Sequence, residues 1–335
     1  MIKSKIIGVG YYLPDNVISN KDLEEIMNTS DEWIRERTGI KERRWIKEDG
    51  KLSTSLMGTY AAKDALSDAN MNNDDIDFII FATLSPDYFF PGSGVLLQRN
   101  LKIKEIGALD VRNQCSGFLY ALSVADQYIK SGMYKNILVV GSEVHSGGLD
   151  KSPKGRGVSV IFGDGAGAVV LQANKTSSSG ILSTHLHSEG AYAEELAVIS
   201  PSTTHWIDKI IKDEKEDGSS YAPYMNGNFV FKNAVVRFEQ VIMEALNYNK
   251  LKKEDISLLI PHQANLRISQ FVQKRLGLSN DKVFNNIEKY GNTTAASVPI
   301  ALKEAILDDK LKSGDILCLA AFGSGFTWAS ALIKW

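Results

Sequence analysis

The sequence is organised around the ten residues Asn113-Gln114-Cys115-Ser116-Gly117-Phe118-Leu119-Tyr120-Ala121-Leu122. An apolar run from Ile106 to Val111 precedes them, and apolar residues then recur at helical spacing as far as Ile129. This pattern predicts a strand, a polar corner at Cys115 and a helix. A thiol at the start of a helix faces unpaired N–H groups and the positive end of the helix dipole, which favour the thiolate. Cys115 is therefore a candidate nucleophile, and the alternative is a cysteine that packs as a small apolar side chain.

Length and composition exclude several classes of protein. The chain has 335 residues and a formal net charge of −2, which argues against a general affinity for nucleic acid or anionic membranes. Cys115 and Cys318 form no CxxC or Cys/His cluster, which indicates a reducing compartment and no disulfide framework. No stretch approaches the ~18 apolar residues of a membrane helix, and the first residues hold too short an apolar run for a signal peptide. We therefore expect a cytoplasmic protein without membrane contact.

Strands and helices alternate along the chain, which predicts an α/β layered architecture. Residues 6–14, 75–83 and 135–141 read as buried strands, and residues 54–69 have the spacing of an amphipathic helix.

Two motifs point to ligands only weakly. The run Gly163-Asp164-Gly165-Ala166-Gly167 matches neither GxGxxG nor GxxxxGK[ST], so we interpret it as a strand bend where backbones approach closely. His185 and His187 share one face of a predicted strand, but no third ligand lies nearby in the sequence. We therefore expect no metal site.

The second half of the sequence repeats the pattern of the first. Asp75-Ile76 and Asp255-Ile256 are 180 positions apart, and each follows a helix and precedes a buried strand. Two tandem copies of one α/β unit account for this, and we divide the chain at 1–172 and 173–335. The repeat assigns Cys318 to core packing. It also relates Cys115 to residue 294 or 295, and the strand end at Ala82-Thr83 to His262-Gln263, so these polar ends are expected to converge.

His262 follows a buried strand directly, and Asn292 lies in the loop Gly291-Asn292-Thr293. A lone histidine at such a position is more often structural. Together with Cys115, however, the two residues suggest a Cys/His/Asn constellation. Papain-type peptidases use the same residue types, but none of their local signatures is present.

The chain resembles the 3-oxoacyl-(acyl carrier protein) synthase III family of the thiolase-like superfamily. The resemblance runs from Ile6 to Trp335 and rests on the motifs Asp31-Glu32-Trp33-Ile34, Arg37-Thr38-Gly39-Ile40, Cys115-Ser116-Gly117-Phe118, Ile161 to Gly167, Pro261 to Asn265, Gly291-Asn292-Thr293 and Ala321 to Trp328. It implies a thiolase-like α/β fold whose two tandem pseudo-repeated halves form five αβαβα layers.

The resemblance also implies an acyltransferase that performs a decarboxylating Claisen condensation. Cys115 would accept an acyl group from acyl-CoA, and the carbanion formed from malonyl-acyl carrier protein would attack that thioester. Neutral His262 and the Asn292 amide would hold the enolate oxygen. The backbone N–H groups of Cys115 and Ser324 would form the oxyanion hole. No bound cofactor is implied, because acyl-CoA is a substrate.

The family pattern further implies residues that bind the substrates and a partner subunit. Those assigned to CoA are Trp33, Arg37, Thr38, Arg156, Asn228, Phe231 and Asn265. Lys232, Arg267 and Lys274 would dock an acidic carrier protein, and ordinary surface charge is the alternative. Phe90, in the apolar loop 85–94, would enter the acyl pocket of the partner subunit in a homodimer.

Two departures from the family pattern concern the acyl group. Gln114 and its neighbour Asn113 are larger and more polar than the small residues expected before the cysteine, and the segment 191–224 is longer than in the typical acetyl-CoA-using member. A longer or branched primer is therefore an open alternative to acetyl.

Several other functions compete with this one. A secondary-metabolism relative that transfers unusual acyl groups is the main rival, and a non-catalytic subunit is disfavoured by the intact Cys/His/Asn set. A biosynthetic thiolase would need a second cysteine in Gly323-Ser324-Gly325, and an elongating synthase would need histidine in place of Asn292.

Overall fold

Two mixed sheets form the centre of the protein. The computed structural model describes residues 2–176, 178–203 and 221–335. The first sheet has the order β1-β7-β6-β4-β5, with β1 (Lys3–Tyr12), β4 (Phe78–Ala82), β5 (Gly107–Val111), β6 (Asn136–Glu143) and β7 (Gly165–Asn174). The second has the order β11-β12-β13-β8, with β8 (Gly180–Ser188), β11 (Leu258–Pro261), β12 (Ile316–Gly323) and β13 (Thr327–Lys334). Short pairs join β2 (Val17–Ser19) to β3 (Glu42–Arg44) and β9 (Leu196–Ala197) to β10 (Tyr224–Met225).

The parallel pairs of strands determine where polar chain ends collect. In the first sheet β4 is parallel to β5 and β6, and in the second β11 is parallel to β12. The carboxyl ends of parallel strands lie at one edge of a sheet, where ligands bind in α/β proteins. β5 leads to Cys115, β11 leads to His262, and β12 ends at Gly323.

Ten α-helices connect the strands of the described ranges. They are α1 (Asn20–Glu24), α2 (Asp31–Thr38), α3 (Thr54–Asp68), α4 (Ser93–Leu101), α5 (Gly117–Lys130), α6 (Arg156–Ser159), α7 (Gly227–Tyr248), α8 (Leu266–Leu276), α9 (Ile287–Tyr290) and α10 (Ser297–Leu307).

The hydrophobic clusters show five layers. One cluster joins Phe118 of α5 and Leu302 of α10 to Val139 in the first sheet and Leu319 in the second, so these two helices lie between the sheets. A second cluster packs α3 and α4 on the outer face of the first sheet. A third packs α7 and α8 on the outer face of the second sheet. The predicted αβαβα architecture is confirmed.

The internal repeat is also visible in the backbone. β4 and β11 begin 180 positions apart, as do β6 and β12 and the helices α5 and α10. Short 3-10 turns at Gln114–Ser116 and Thr294–Ala296 precede the two central helices, and Gln114 and Thr294 have nearly the same positive φ of 45° and 50°. Cys115 therefore corresponds to Ala295. The division at 172/173 stays a prediction.

The predicted strand over 75–83 is shorter than expected. It covers Phe78–Ala82, because the acidic residues before it form a 3-10 turn at Asn73–Asp75.

The glycine-rich run holds two segments close together. A Cβ on Gly163 would lie 2.2 Å from the carbonyl oxygen of Tyr290, and one on Gly167 would lie 2.7 Å from Pro299 Cβ. Neither contact tolerates a side chain, which agrees with the interpretation as a strand bend.

His185 and His187 both contact Glu244, at 3.3 Å and 2.6 Å. Within residues 2–176, 178–203 and 221–335, no group of three His, Cys, Asp or Glu side chains is arranged to hold a metal ion. The helices of these same residues include none that is long and apolar enough to cross a membrane.

Candidate active site

Cys115 lies in the 3-10 turn at Gln114–Ser116, directly before α5, and is 8% exposed. The end of β12 packs against it. A Cβ on Gly323 would lie 2.7 Å from Cys115 Cβ and 3.1 Å from its Sγ. Only glycine at position 323 leaves room for the thiol in this position.

The Gly323 contact gives a first prediction. We expect Gly323→Ala to displace Cys115, to cost about 1–3 kcal/mol of stability through overpacking, and to slow alkylation of Cys115 by iodoacetamide. Urea unfolding and peptide mass spectrometry measure the two effects. Gly147→Ala is the matched control, because a Cβ there meets nothing within 4 Å. Equal behaviour of the two variants would show that β12 does not constrain the thiol.

Three hydrogen-bond donors face the Cys115 sulfur. They are the backbone N–H groups of Cys115 and Ser324 and the hydroxyl of Thr294. Burial nevertheless raises the pKa of Cys115 to about 12, and the nearby Glu143 adds to this effect. The donors at the helix start lower the pKa of Cys115 as predicted, but loss of solvent outweighs them.

His262 extends from the end of β11, where its N–H donates to the Ala320 carbonyl at 2.7 Å. Its Nδ1 lies 2.6 Å from Ser297 Oγ, while its buried Nε2 has no hydrogen-bond partner among the described residues. Burial lowers the pKa of His262 to about 3, with a smaller contribution from His145. The imidazole is therefore neutral, and because Ser297 can donate or accept, either neutral tautomer satisfies the Nδ1 contact.

Asn292 is held by its own turn and by the glycine-rich run. Its Oδ1 accepts from the Thr294 N–H at 2.8 Å, which leaves the amide NH2 group as the donor on this side chain. Its backbone N–H donates to Ile161 at 2.8 Å, and its carbonyl accepts from Gly163 at 3.1 Å. The start of this run, at Ile161 and Gly163, thus helps to fix Asn292.

One cavity of about 460 Å³ joins these three residues to the surface. Cys115, His262 and Asn292 line it and are all buried, whereas Arg37 and Asn228 line it and are exposed. The other predicted residues on its wall are Trp33, Thr38, Phe231, Asn265 and Arg267.

Some of these side chains have internal partners. The Thr38 hydroxyl donates to Ile34 and accepts from the Ile40 N–H. Asn265 caps α8 by accepting from the Arg267 N–H, and its amide donates to the Arg37 carbonyl at 2.8 Å. Both residues shape the wall through these contacts.

Trp33 lies against two guanidinium groups. The centroid of its ring is 4.5 Å from the Arg37 Cζ and 4.1 Å from the Arg156 Cζ. Arg156 itself is not part of the cavity wall. Because the Trp33 ring and the Arg156 guanidinium are already in contact, any planar ring that binds between them would have to displace the guanidinium.

The three basic residues predicted to dock a carrier protein, Lys232, Arg267 and Lys274, are all exposed. None of them forms an ion pair with a residue that the structure describes. Only Arg267 reaches the cavity, where its Cζ lies 5.8 Å from the Phe231 ring.

The residues associated with the acyl group lie apart from this cavity. Phe90 is 81% exposed, and neither it nor the half-buried Gln114 contributes to the wall in the single chain. From the long segment 191–224, Leu196 lines the cavity, and its carbonyl accepts from the Ser324 hydroxyl. Residues 204–220 of that segment lie outside the described residues.

Two polar residues near the thiol were not predicted from the sequence. Glu143 accepts hydrogen bonds from Thr83 and from Ser85, and burial raises its pKa to about 7. His145 lies two residues further on. Both residues follow the buried strand at 135–141, and Glu143 lies 180 residues before Gly323. These positions are the signal that could have identified them.

Comparison with known proteins identifies the family of this chain. Residues 109–190 match the family model 3-oxoacyl-[acyl-carrier-protein (ACP)] synthase III, and residues 246–335 match the model of its C-terminal part. The β-ketoacyl-[acyl-carrier-protein] synthase III of Yersinia pestis is 47% identical over 331 residues, which cover 99% of each chain.

Solved structures give the same result. A 3-oxoacyl-[acyl-carrier-protein] synthase III from Aquifex aeolicus is 45% identical with a TM-score of 0.89, over 99% of this chain and 100% of the other. A priming β-ketosynthase of the R1128 polyketide pathway is 31% identical with a TM-score of 0.88, over 99% and 96% of the two chains. The chain belongs to the 3-oxoacyl-[acyl-carrier-protein] synthase III family.

Proposed function

We propose that the protein condenses an acyl-CoA primer with malonyl-acyl carrier protein, giving 3-oxoacyl-acyl carrier protein, CoA and CO2. This reaction initiates type II fatty acid synthesis. The observation that carries the proposal is one surface-accessible cavity whose buried end holds a thiol, a neutral imidazole with an unpartnered Nε2 and an oriented asparagine amide.

In the first half-reaction, the Cys115 sulfur attacks the thioester carbonyl of acyl-CoA. The thiol proton passes to His262 Nε2 and then to the departing CoA sulfur, so the products are acyl-Cys115 and CoA. A proton acceptor is required because burial raises the pKa of Cys115 to about 12, which favours the thiol. The N–H groups of Cys115 and Ser324 stabilise the oxyanion of the tetrahedral intermediate.

In the second half-reaction, the malonyl group loses CO2 and becomes an enolate. After CoA leaves, His262 exchanges its proton with solvent to the Nε2–H tautomer, in which the Ser297 hydroxyl donates to Nδ1. His262 Nε2–H and the Asn292 amide then donate to the enolate oxygen, which lowers the barrier to C–C bond cleavage. The α-carbon then attacks the acyl-Cys115 carbonyl, and collapse of the tetrahedral intermediate releases 3-oxoacyl-acyl carrier protein and the Cys115 thiolate. The thiolate takes up one proton from solvent, which restores the thiol. A neutral histidine fits this step because it must donate without carrying net charge.

Substrate binding follows from the cavity wall. Arg37, Asn228 and Asn265 lie where the CoA chain would enter, and displacement of Arg156 from Trp33 would open a stacking site for its adenine. The exposed Lys232, Arg267 and Lys274 would attract the acidic carrier protein, with most of their effect on the association rate.

We further propose a cytoplasmic homodimer. Both cysteines are free and buried, which supports a reducing compartment. The exposed side chains of Tyr88, Phe89 and Phe90 support a subunit contact, since adjacent large apolar side chains rarely face water.

An acyl-CoA panel tests the function and identifies the primer. We expect incubation with straight and branched acyl-CoAs of increasing length to add one acyl group to the protein, on the peptide that contains Cys115. Intact-mass and peptide mass spectrometry detect the adduct. Because the R1128 relative is a priming synthase of a polyketide pathway, the panel includes chains longer than acetyl. No adduct at any length would contradict the proposal.

A further inference from the structure

A second buried histidine lies behind the thiol and has no part in the steps above. His145 Nε2 is 2.7 Å from Thr294 Oγ1. A hydrogen bond from the Thr294 side chain lowers the pKa of Cys115. His145 is 8% exposed and Thr294 is 0% exposed. The three side chains therefore form a buried chain of contacts from imidazole to hydroxyl to sulfur.

The fold fixes the position of His145. Its backbone N–H donates to Asp164 Oδ1 at 2.7 Å, and Asp164 also accepts from the N–H and hydroxyl of Ser146. The imidazole packs on the Phe162 ring with centroids 4.7 Å apart. Burial lowers the pKa of His145 to about 3, so the ring is neutral and carries one N–H. A fixed neutral ring can act as a donor of defined direction.

Thr294 is fixed as strongly, through its backbone. Its N–H donates to Asn292 Oδ1, and its φ of 50° places it in the left-handed region. Its hydroxyl has one hydrogen to donate. If that hydrogen points at the Cys115 sulfur, it cannot also point at His145. Thr294 Oγ1 must then accept a hydrogen bond from the His145 Nε2–H.

We propose that His145 is a positioning residue, which donates to Thr294 Oγ1 and thereby directs the Thr294 hydroxyl at the Cys115 sulfur. The hydroxyl stabilises the negative charge that the sulfur carries as its proton leaves and as the thioester forms. His145 touches neither sulfur nor substrate. The inference rests on the proposed function for its role in catalysis, but the charge on the sulfur can be measured without CoA.

The surroundings of the sulfur make this donor important. The titratable side chains near Cys115 are Glu143 at the end of β6, His145 beyond it, and His262 at the end of β11. Glu143 and burial both act against the thiolate, and the two histidines are neutral. The remaining stabilisation comes from the hydroxyl of Thr294 and the two backbone N–H groups.

The test is the pH dependence of Cys115 alkylation by iodoacetamide, with the Cys115 and Cys318 peptides separated by mass spectrometry. Thr294→Val and His145→Leu should each slow alkylation about tenfold at fixed pH, since one pKa unit changes the thiolate fraction by that factor. Thr294→Ser keeps the hydroxyl and His145→Gln keeps an N–H donor. In both variants, the pH dependence of Cys115 alkylation should therefore be close to that of the parent protein. If His145→Leu does not fold, His145→Asn replaces it, because its amide ends short of Thr294.

A double variant separates positioning from packing. In the Thr294→Val background, His145→Leu should slow alkylation no further, because the hydroxyl that His145 directs is gone. His185→Leu is the control, since His185 lies on β8 and contacts Ser183 and Glu244. An unchanged profile for His145→Leu, or an added loss in the double variant, would overturn the inference. These outcomes are independent of the acyl-CoA panel, which tests the proposed function itself.

Discussion

Replacing Cys115 with serine is expected to reduce acyl transfer from acyl-CoA by at least about 10³-fold, in line with the loss of other enzymatic nucleophiles. A serine hydroxyl is far less acidic than a thiol, and the same burial that raises the pKa of Cys115 to about 12 also opposes an alkoxide. The shorter C–O bond also withdraws the attacking atom from the donors of Ser324 and Thr294. Intact-mass spectrometry after incubation with the preferred acyl-CoA measures the result.

Cys318→Ala is the matched control for this substitution. Cys318 is fully buried in β12 and belongs to the hydrophobic cluster outside the second sheet. Its loss should lower stability slightly and leave acyl transfer intact. Continued acyl transfer by Cys115→Ser at the parent rate would assign the nucleophile to another residue.

The second large effect concerns Asn292. Asn292→Ala is expected to slow decarboxylation of malonyl-acyl carrier protein by about 10²–10³-fold, the usual loss for one donor at a developing oxyanion. Acylation of Cys115 should fall less, by about tenfold at most, because its oxyanion would use the backbone N–H groups of Cys115 and Ser324. Asn292 would affect the sulfur only through Thr294, whose N–H donates to the Asn292 Oδ1. Release of labelled CO2 and formation of the acyl adduct measure the two steps separately.

His262→Ala gives the contrasting result. It should slow both steps, because Nε2 accepts the thiol proton in the first and donates to the enolate in the second. Asn249→Ala serves as a control for general destabilisation, since Asn249 bonds to Ser183 and Ala245 at the far end of α7. Equal losses in both steps for Asn292→Ala would contradict the division of roles.

Much of this architecture could be predicted because the governing patterns are local or periodic. Buried strands such as Phe78–Ala82 appear in the sequence as continuous apolar runs. The 180-residue spacing is also visible in the sequence itself, so the two units can be related without a structure. The convergence of Cys115, His262 and Asn292 on one cavity follows from the repeat, since corresponding strand and helix ends meet at the interface of the two halves.

The chemistry of the thiol could not be predicted in the same way. The start of α5 indicates donors at Cys115, but its pKa depends on burial under β12 and on Glu143, which are far away in the sequence. The contacts of Thr38, Asn265 and Arg156 likewise depend on segments that meet only in the folded chain. The meeting of Cys115, His262 and Asn292 at one cavity could therefore be predicted more fully than the electrostatics of the thiol.

The two turns with positive φ, at Gln114 and Thr294, have a consequence for how this protein can change. Each half supplies the same backbone bend, but only one bend presents a thiol, while Ala295 occupies the equivalent place in the other. Backbone shape and reactivity are thus separate properties of the duplicated unit. One copy can specialise in bond making and the other in support, so substitutions at position 295 that preserve the bend at Thr294 leave Cys115 in place.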